Sequence, residues 1–199
     1  MWPVEQNKEG SMDPKERNAS TKRVDWFDDF EGENRYRFLS NFYVGEPIEF
    51  TGVKFATGEH MFAALKAQNR LDFDRIAVAR NPASAKAIGR KIGLRSDWEA
   101  VKYDVMRVVL ATKFAHGRIE ALLLASTGGK MLVEGTDWND RVWGVNRTNG
   151  LGRNWLGILL MARRAELVAE GSGCEPFDYT ATTKFIMPTW VGREKVLGA

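Results

Sequence analysis

Two short runs with the residue types of β-strands, the second loosely alternating between apolar and polar positions, precede a long stretch with helical periodicity. The runs from Tyr36 to Leu39 and from Ile48 to Phe55 predict two short strand segments. Thr51-Gly52 interrupts the second run, which predicts a hairpin turn at this point. From residue 59 to residue 69, apolar side chains recur at helical spacing, so a helix is predicted there.

Capping signals predict where two further helices begin. Asn81-Pro82 is typical of an N-cap followed by proline at the first helical position, and the helix is expected to extend through Ile88. Ser96 and Glu99 have the spacing of a capping box, which predicts a helix that ends near residue 114. The remaining pattern predicts a helix over 118–126, a strand over 130–134 and a helix over 154–169.

Together these elements predict an α+β fold, a mostly helical single domain with a small β-sheet. Residues 1–24 are polar and their charges nearly cancel, so we expect a disordered tail or a remnant foreign to the native protein. The folded domain is expected over residues 25–171. Residues 172–199 form a C-terminal extension to which the sequence assigns no role.

Composition narrows the class of protein. The 199 residues are 44% hydrophobic and 28% charged, as in soluble globular proteins. No apolar run approaches the roughly 20 residues that cross a bilayer, so we expect no membrane association. The single cysteine, Cys174, excludes an internal disulfide, and the absence of a recognisable leader makes the cytoplasm the expected compartment. A net charge of +3 permits a phosphorylated or nucleic-acid ligand without requiring one.

Several standard catalytic motifs are absent. A P-loop is absent, because Gly129-Lys130 is followed by Met131 and the upstream glycine is missing. Gly150-Leu151-Gly152 is half of a dinucleotide fingerprint, but the next glycine, Gly157, has the wrong spacing. Two histidines, His60 and His116, are too few for a plausible zinc site. We therefore expect neither a metal nor a cofactor.

Glu59 and Lys66 form the first candidate site. They lie seven residues apart, two turns of the predicted helix, so both side chains can face the same pocket. One interpretation pairs a carboxylate with an amine for catalysis. The other makes Glu59 an ordinary charge at a helix start and Lys66 a solvated one, and this is the commoner case for an arbitrary sequence.

A second candidate lies in the loop from Asp137 to Gly144, where acids and tryptophans are typical of a ligand rim. The alternative is a surface turn with Trp143 packed in the core. The following segment, 146–154, leads into a helix N-terminus that could seat a phosphate, or it is an ordinary loop with Asn154 as a cap.

Five blocks in this order resemble the NADAR family of YbiA-like N-glycosidases. They are Phe-Leu-Ser-Asn-Phe-Tyr at 38–43, Gly-Glu-His at 58–60 with its helix to 67, the segments 89–98 and 105–114, and 133–144 with 150–163. They span about residues 26–170. Gly58 stands where the family usually has serine.

The resemblance implies hydrolysis of the bond between ribose C1′ and an exocyclic amine. One possible substrate is ADP-ribose attached to guanine in nucleic acid, which would make the protein a possible antagonist of an ADP-ribosylating toxin. The alternative is a phosphoribosylamino-pyrimidine intermediate of riboflavin biosynthesis. A third hypothesis, from another class, is a non-catalytic ADP-ribose or nucleotide binding module.

The resemblance also implies roles for individual residues. Glu59 would act as general acid and base, and Lys66 would stabilise charge or attack C1′ to give a Schiff base. Trp98 and Trp143 would stack on the base or close the pocket. The other expected substrate-binding residues are Arg37, Ser40, Asn41, Phe42, His60, Asp137, Gly144 and Asn154. Basic residues Arg141, Arg147 and Arg153 are expected near the rim.

Overall fold

A computed structural model describes residues 24–27, 35–138, 140–188 and 190. These residues form short strands and seven α-helices. The strands are Val24–Phe27 (β1), Ile48–Phe50 (β2), Val53–Phe55 (β3), Met131–Thr136 (β4) and Val145–Asn146 (β5). The helices are Gly58–Leu65 (α1), Arg70–Ala77 (α2), Pro82–Gly89 (α3), Trp98–Lys113 (α4), Ile119–Ser126 (α5), Trp155–Gly171 (α6) and Thr180–Ile186 (α7).

The strands form two small sheets. In the first, β4 lies between β1 and β5 and is parallel to both, with Val24 opposite Met131 and Gly135 opposite Val145. In the second, β2 and β3 form an antiparallel hairpin. Thr51 and Gly52 have φ angles of 48° and 77°, as a two-residue hairpin turn of type I′ requires. The prediction of a mostly helical α+β fold and of this turn is confirmed.

Helix α1 lies at the centre of the domain, and all eight of its residues are buried. Helices α2, α3 and α4 pack around it. The apolar face of α4 supplies much of the core, including Val101, Val105 and Val109. No helix among the described residues is long and apolar enough to span a bilayer.

The predicted strand at 36–39 is wrong. Residues Arg37–Leu39 form a 3₁₀ turn, in which the Leu39 amide donates to the Tyr36 carbonyl at 2.9 Å. The neighbours Phe38 and Leu39 are both buried. A half-buried strand would send consecutive side chains to opposite faces, so the turn is the conformation that buries both.

Helix starts were predicted with mixed success. At α3 the Asn81 side chain accepts from the Ser84 amide at 2.8 Å and Pro82 is the first helical residue, which confirms the predicted cap. The capping box at Ser96 is wrong, because α4 begins at Trp98 after an N-cap residue, Asp97, that makes no side-chain cap bond. The Asp97 carboxylate instead pairs with Arg95 at 2.5 Å.

The sequence pattern did not reveal β1 or α7. Helix α7 belongs to the C-terminal extension, and the hydroxyl of its N-cap residue, Tyr179, donates to Glu166 of α6 at 2.6 Å. The predicted tail at residues 1–24 lies outside the described residues, apart from Val24 in β1. The proposed domain limits remain predictions.

Asn154 joins β4 to α6. It has a left-handed backbone, with φ of 51°, which asparagine tolerates better than most residues. Its side-chain oxygen accepts from the Glu134 amide at 3.0 Å, and its side-chain nitrogen donates to the Leu132 carbonyl at 2.8 Å. The side chain therefore replaces a backbone partner for β4 and does not cap the helix.

We predict that Asn154→Ala lowers the free energy of unfolding by about 2–3 kcal/mol, because two strand groups lose their partners. Urea denaturation measures the change. Asn149→Ala is the matched control, since Asn149 is exposed and its side chain bonds only within its own turn, to the Leu151 amide. Equal losses in the two variants would contradict the assigned role of Asn154.

Candidate active site

A pocket of about 170 Å³ opens beside helix α1. It is bounded by α1, α3, the loop after the 3₁₀ turn and the loop between β4 and β5. Its lining residues are Asn41, Phe42, Glu59, Phe62, Lys66, Lys86, Arg90, Met106, Glu134, Trp138, Asp140, Trp143 and Leu156. Glu59 and Lys66, which were predicted to share a pocket, both line it.

The helix geometry explains how Glu59 and Lys66 come together. Glu59 lies in the first turn of α1 and is 8% exposed, and Lys66 follows the last residue of the same helix. Helix α3 passes close to Lys66 at Gly89, where a Cβ atom would lie 2.8 Å from Lys66 Cε. The absence of a side chain at Gly89 therefore makes room for the lysine.

Burial lowers the pKa of Lys66 below its usual value. The negative charge of Glu59 opposes this effect, whereas the positive charges of Arg90 and Lys86 reinforce it. A neutral amine is consequently accessible at lower pH than for an ordinary lysine. Only this form can act as a nucleophile.

The loop at residues 40–43 is anchored to the helices. Lys113, which is buried, donates from Nζ to the Ser40 carbonyl at 2.5 Å and to the Leu39 carbonyl at 3.3 Å. The Glu59 amide donates to the Asn41 carbonyl at 2.9 Å. These bonds hold Asn41 and Phe42 against the start of α1.

Asn41 offers an acceptor inside the pocket. Its Nδ2 donates to Met106 Sδ at 3.2 Å, and its buried Oδ1 has no hydrogen-bond partner among the described residues. A Cβ atom at Gly58 would lie 2.7 Å from that oxygen. Gly58 thus gives Asn41 the space it occupies, and Oδ1 is placed to accept from a sugar hydroxyl or an amine.

Two aromatic rings and two cations line the mouth of the pocket. The ammonium of Lys86 lies 4.8 Å from the ring centroid of Phe42 and 5.1 Å from that of Trp138. Arg90, which directly follows the last residue of α3, is exposed at the same opening. An adjoining outer pocket of about 370 Å³ shares these four residues. The mouth can therefore receive a flat ring and an anionic group.

Aromatic side chains form the opposite wall. The ring of Phe62 lies 5.3 Å from those of Trp143 and Trp98. Trp143 lines the pocket, as expected, and Asp140 fixes its backbone by accepting from the Trp143 amide at 2.9 Å. Trp98 is buried, contacts the ring of Phe62 and does not line the pocket. In this structure Trp98 is therefore not placed to stack on the base or to close the pocket, the two roles expected of it.

His60 faces away from the pocket and not toward the substrate. Its Nε2 lies 3.0 Å from the Ala79 carbonyl, which can only accept, so Nε2 carries the proton. Its Nδ1 lies 2.8 Å from the Thr57 hydroxyl. Burial lowers the pKa of His60, which favours this neutral form. Both ring nitrogens are engaged, and His60 is assigned to the core.

Other predicted binding residues also lie elsewhere. Arg37 and Asp137 are exposed and do not line the pocket. Ser40 is buried, and its hydroxyl accepts from the Phe42 amide at 3.0 Å. Asn154 bonds to β4, and Gly144 packs where a Cβ atom would lie 2.9 Å from the Glu134 carbonyl. Ser40, Asn154 and Gly144 therefore shape the loops, and in this geometry they offer no side-chain hydrogen-bonding group to a substrate.

Several residues that line the pocket were not predicted from the sequence. Lys86 and Arg90 are four residues apart, so the predicted helix over 82–88 would have placed them on one face only if it had been extended by two residues. Nothing in the sequence indicated that this face covers Lys66. Trp138 and Asp140 lie within the loop from Asp137 to Gly144 that was predicted to form a ligand rim. In that loop, Asp137 was the acid expected to bind the substrate. The expected rim residues Arg141, Arg147 and Arg153 do not line the pocket.

The described residues contain no group of three or more histidine, cysteine, aspartate or glutamate side chains arranged to hold a metal ion. The described lining of the pocket includes three carboxylates, two amines, one guanidinium and one amide.

Comparison with known proteins gives consistent matches. The family model of the NADAR domain matches residues 27–168. The chain is 41% identical over 138 residues to "N-glycosidase YbiA" of Shigella boydii and of Escherichia coli, covering 68% of this chain and 84% of each relative. It is also 41% identical over 106 residues to the chloroplastic riboflavin biosynthesis protein PYRR of Arabidopsis thaliana, covering 50% of this chain and 17% of that protein.

A solved structure is similar as well. The NMR structure of Escherichia coli YbiA matches with a TM-score of 0.66 and 33% sequence identity. The match covers 78% of this chain and 94% of that one.

Two substitutions beside Lys66 should shift its pKa in opposite directions. Glu59→Gln removes the charge that favours the ammonium, so the pKa of Lys66 should fall further. Arg90→Gln removes a charge that disfavours it, so the pKa should rise. NMR titration of the Lys66 Cε signal measures both, with exposed Glu99→Gln as the control. Shifts of the same sign in both pocket variants would contradict this account.

Proposed function

The chain belongs to the NADAR family and is an N-glycosidase, and from this premise we propose that it removes ADP-ribose from guanine in nucleic acid. The bond cleaved would join ribose C1′ to the exocyclic amine of the base. An enzyme of this kind would antagonise an ADP-ribosylating toxin.

The observation that carries the reaction is the pairing of Glu59 and Lys66 in one pocket. A carboxylate can transfer protons, and an amine with a lowered pKa can attack a sugar carbon. Oδ1 of Asn41 supplies an acceptor beside them. A pure binding module has no need of this pair, which is why a catalytic function is preferred to the binding module.

In the covalent route, the sugar is transferred from the base to Lys66 and then to water. Lys66 Nζ attacks C1′, the bond from C1′ to the exocyclic nitrogen breaks, and that nitrogen keeps the electron pair. Glu59 delivers a proton to the departing amine and regains one from Nζ. The C1′–O4′ bond then breaks to give a Schiff base as Glu59 protonates O4′. Water adds to C1′ and returns a proton to Glu59, and transfer of that proton to Nζ breaks the C1′–Nζ bond and releases the open sugar and the Lys66 amine. In the direct route, water replaces Lys66 as the nucleophile and Lys66 stabilises charge.

The residues at the mouth of the pocket favour a substrate that carries phosphate groups and a flat ring. Lys86 and Arg90 can contact phosphate oxygens, and the rings of Phe42 and Trp138 can pack against a base. The outer pocket adds room beyond the sugar, which favours ADP-ribose over a smaller group.

A phosphoribosylamino-pyrimidine intermediate of riboflavin biosynthesis is the second candidate substrate. The alignment with a riboflavin biosynthesis protein over 50% of this chain favours it. The inner pocket of about 170 Å³ also suits a compact substrate. Its single phosphate would contact the same two cations.

Incubation with each substrate separately distinguishes the candidates. Mass spectrometry follows release of the sugar from an oligonucleotide ADP-ribosylated on guanine and from a phosphoribosylamino-pyrimidine. Release from the oligonucleotide supports the first proposal, and release from the pyrimidine alone supports the second. Tight binding without either product would support a binding module.

We predict that Glu59→Gln lowers kcat by about 10²–10⁴, because the variant cannot transfer a proton. Steady-state kinetics on the preferred substrate measure the loss. Glu49→Gln is the control, since Glu49 is an exposed carboxylate of β2 that does not line the pocket. Full activity of Glu59→Gln would remove the assignment of general acid and base.

A further inference from the structure

A basic and aromatic groove lies next to the active site and plays no part in the proposed reaction. It consists of two adjoining depressions of about 460 and 230 Å³ over the 3₁₀ turn and the end of α5. Its polar and aromatic lining includes Arg35, Tyr36, Arg37, Tyr43 and Lys130. We call it the η groove.

The η groove meets the active site at Phe42. This residue lines the larger depression, the catalytic pocket and the outer pocket. A ligand extended along the groove would therefore reach the mouth above Glu59 and Lys66. Arg37, which does not line the catalytic pocket, lies along this approach.

The side chains of the groove interleave positive charge with aromatic rings. Two cations lie close to the ring of Tyr36. The Arg35 guanidinium is 4.7 Å from the ring centroid, and the Lys130 ammonium is 5.5 Å from the same centroid. Lys130 also donates to the Tyr36 hydroxyl at 2.7 Å. Arg35 and Arg37 are exposed.

Among the described residues that line the groove, every charged side chain is a cation. The described residues that line it include three cations and no carboxylate. A groove of this kind suits a flexible polyanion that carries flat rings, because phosphates contact the cations while bases pack on the aromatics. Single-stranded nucleic acid has this chemistry.

We propose that the η groove holds the nucleic-acid strand next to the modified guanine and leads that strand to the pocket at Phe42. This inference rests on the proposed function, since it extends the ADP-ribosylated guanine to the strand that carries it. It adds a binding site outside the catalytic pocket.

Binding of an unmodified, fluorescein-labelled single strand of about 12 nucleotides tests the groove without any reaction. Fluorescence anisotropy is measured over a range of salt concentrations. Arg35→Glu/Arg37→Glu should weaken binding about tenfold and reduce the slope of log K against log [salt] by about 1.4, since each lost phosphate contact removes about 0.7.

Two control variants separate the groove from bulk charge and from misfolding. Lys54→Glu/Arg75→Glu makes the same change of charge at two exposed positions that line no described pocket, and it should bind within about twofold of the wild type. Arg35→Lys/Arg37→Lys keeps the charges and should retain binding and its salt slope. Equal losses in the two Glu variants, or no loss in either, would overturn the proposal.

Activity distinguishes failure of the groove from failure of the proposed function. On ADP-ribosylated guanosine, which has no flanking strand, Arg35→Glu/Arg37→Glu should match the wild type. On the oligonucleotide, its kcat/KM should fall about tenfold with its affinity. Equal kcat/KM on the oligonucleotide would overturn the groove alone. Groove-dependent binding without sugar release by the wild type would overturn the proposed function alone.

Discussion

Burial of helix α1 on every side is the constraint on which the rest of the structure depends. Polar side chains on a fully buried helix are costly unless other groups satisfy them. His60 obtains partners from Thr57 and Ala79, and the Glu59 amide obtains the Asn41 carbonyl. The loop that supplies the Asn41 carbonyl to α1 also lines the pocket. Stability and site geometry therefore have a common origin.

The far end of α1, where Lys66 lies, is held by residues beyond the family match. Arg95 donates to the Leu65 carbonyl at 3.4 Å and also to the carbonyl of Ile186 in α7. The Trp190 indole donates to the Ala67 carbonyl at 3.3 Å. The family model ends at residue 168, so part of the C-terminal extension now has a structural role. It contacts the backbone beside the candidate nucleophile directly at Ala67, and its Ile186 carbonyl accepts from Arg95, the residue that donates to Leu65.

Local signals in the sequence were sufficient for the fold class, the hairpin and the spacing of Glu59 and Lys66, because each depends on neighbouring residues. The 3₁₀ turn was missed because burying both Phe38 and Leu39 depends on tertiary packing. Lys86 and Arg90 were missed for the same reason, since only the packing of α3 on α1 brings them to the pocket. Several residues that the family resemblance assigned to substrate binding, such as His60, are buried and do not line the pocket.

The central claim is that Glu59 and Lys66 act as one unit, and a double-mutant cycle on kcat/KM tests it most directly. The variants are Glu59→Gln, Lys66→Met and the combination, assayed on whichever substrate the wild type hydrolyses. If the two groups share one proton transfer and one attack, the double variant should be about as slow as the slower single variant. Losses that multiply would show that the two side chains act independently and would contradict the account.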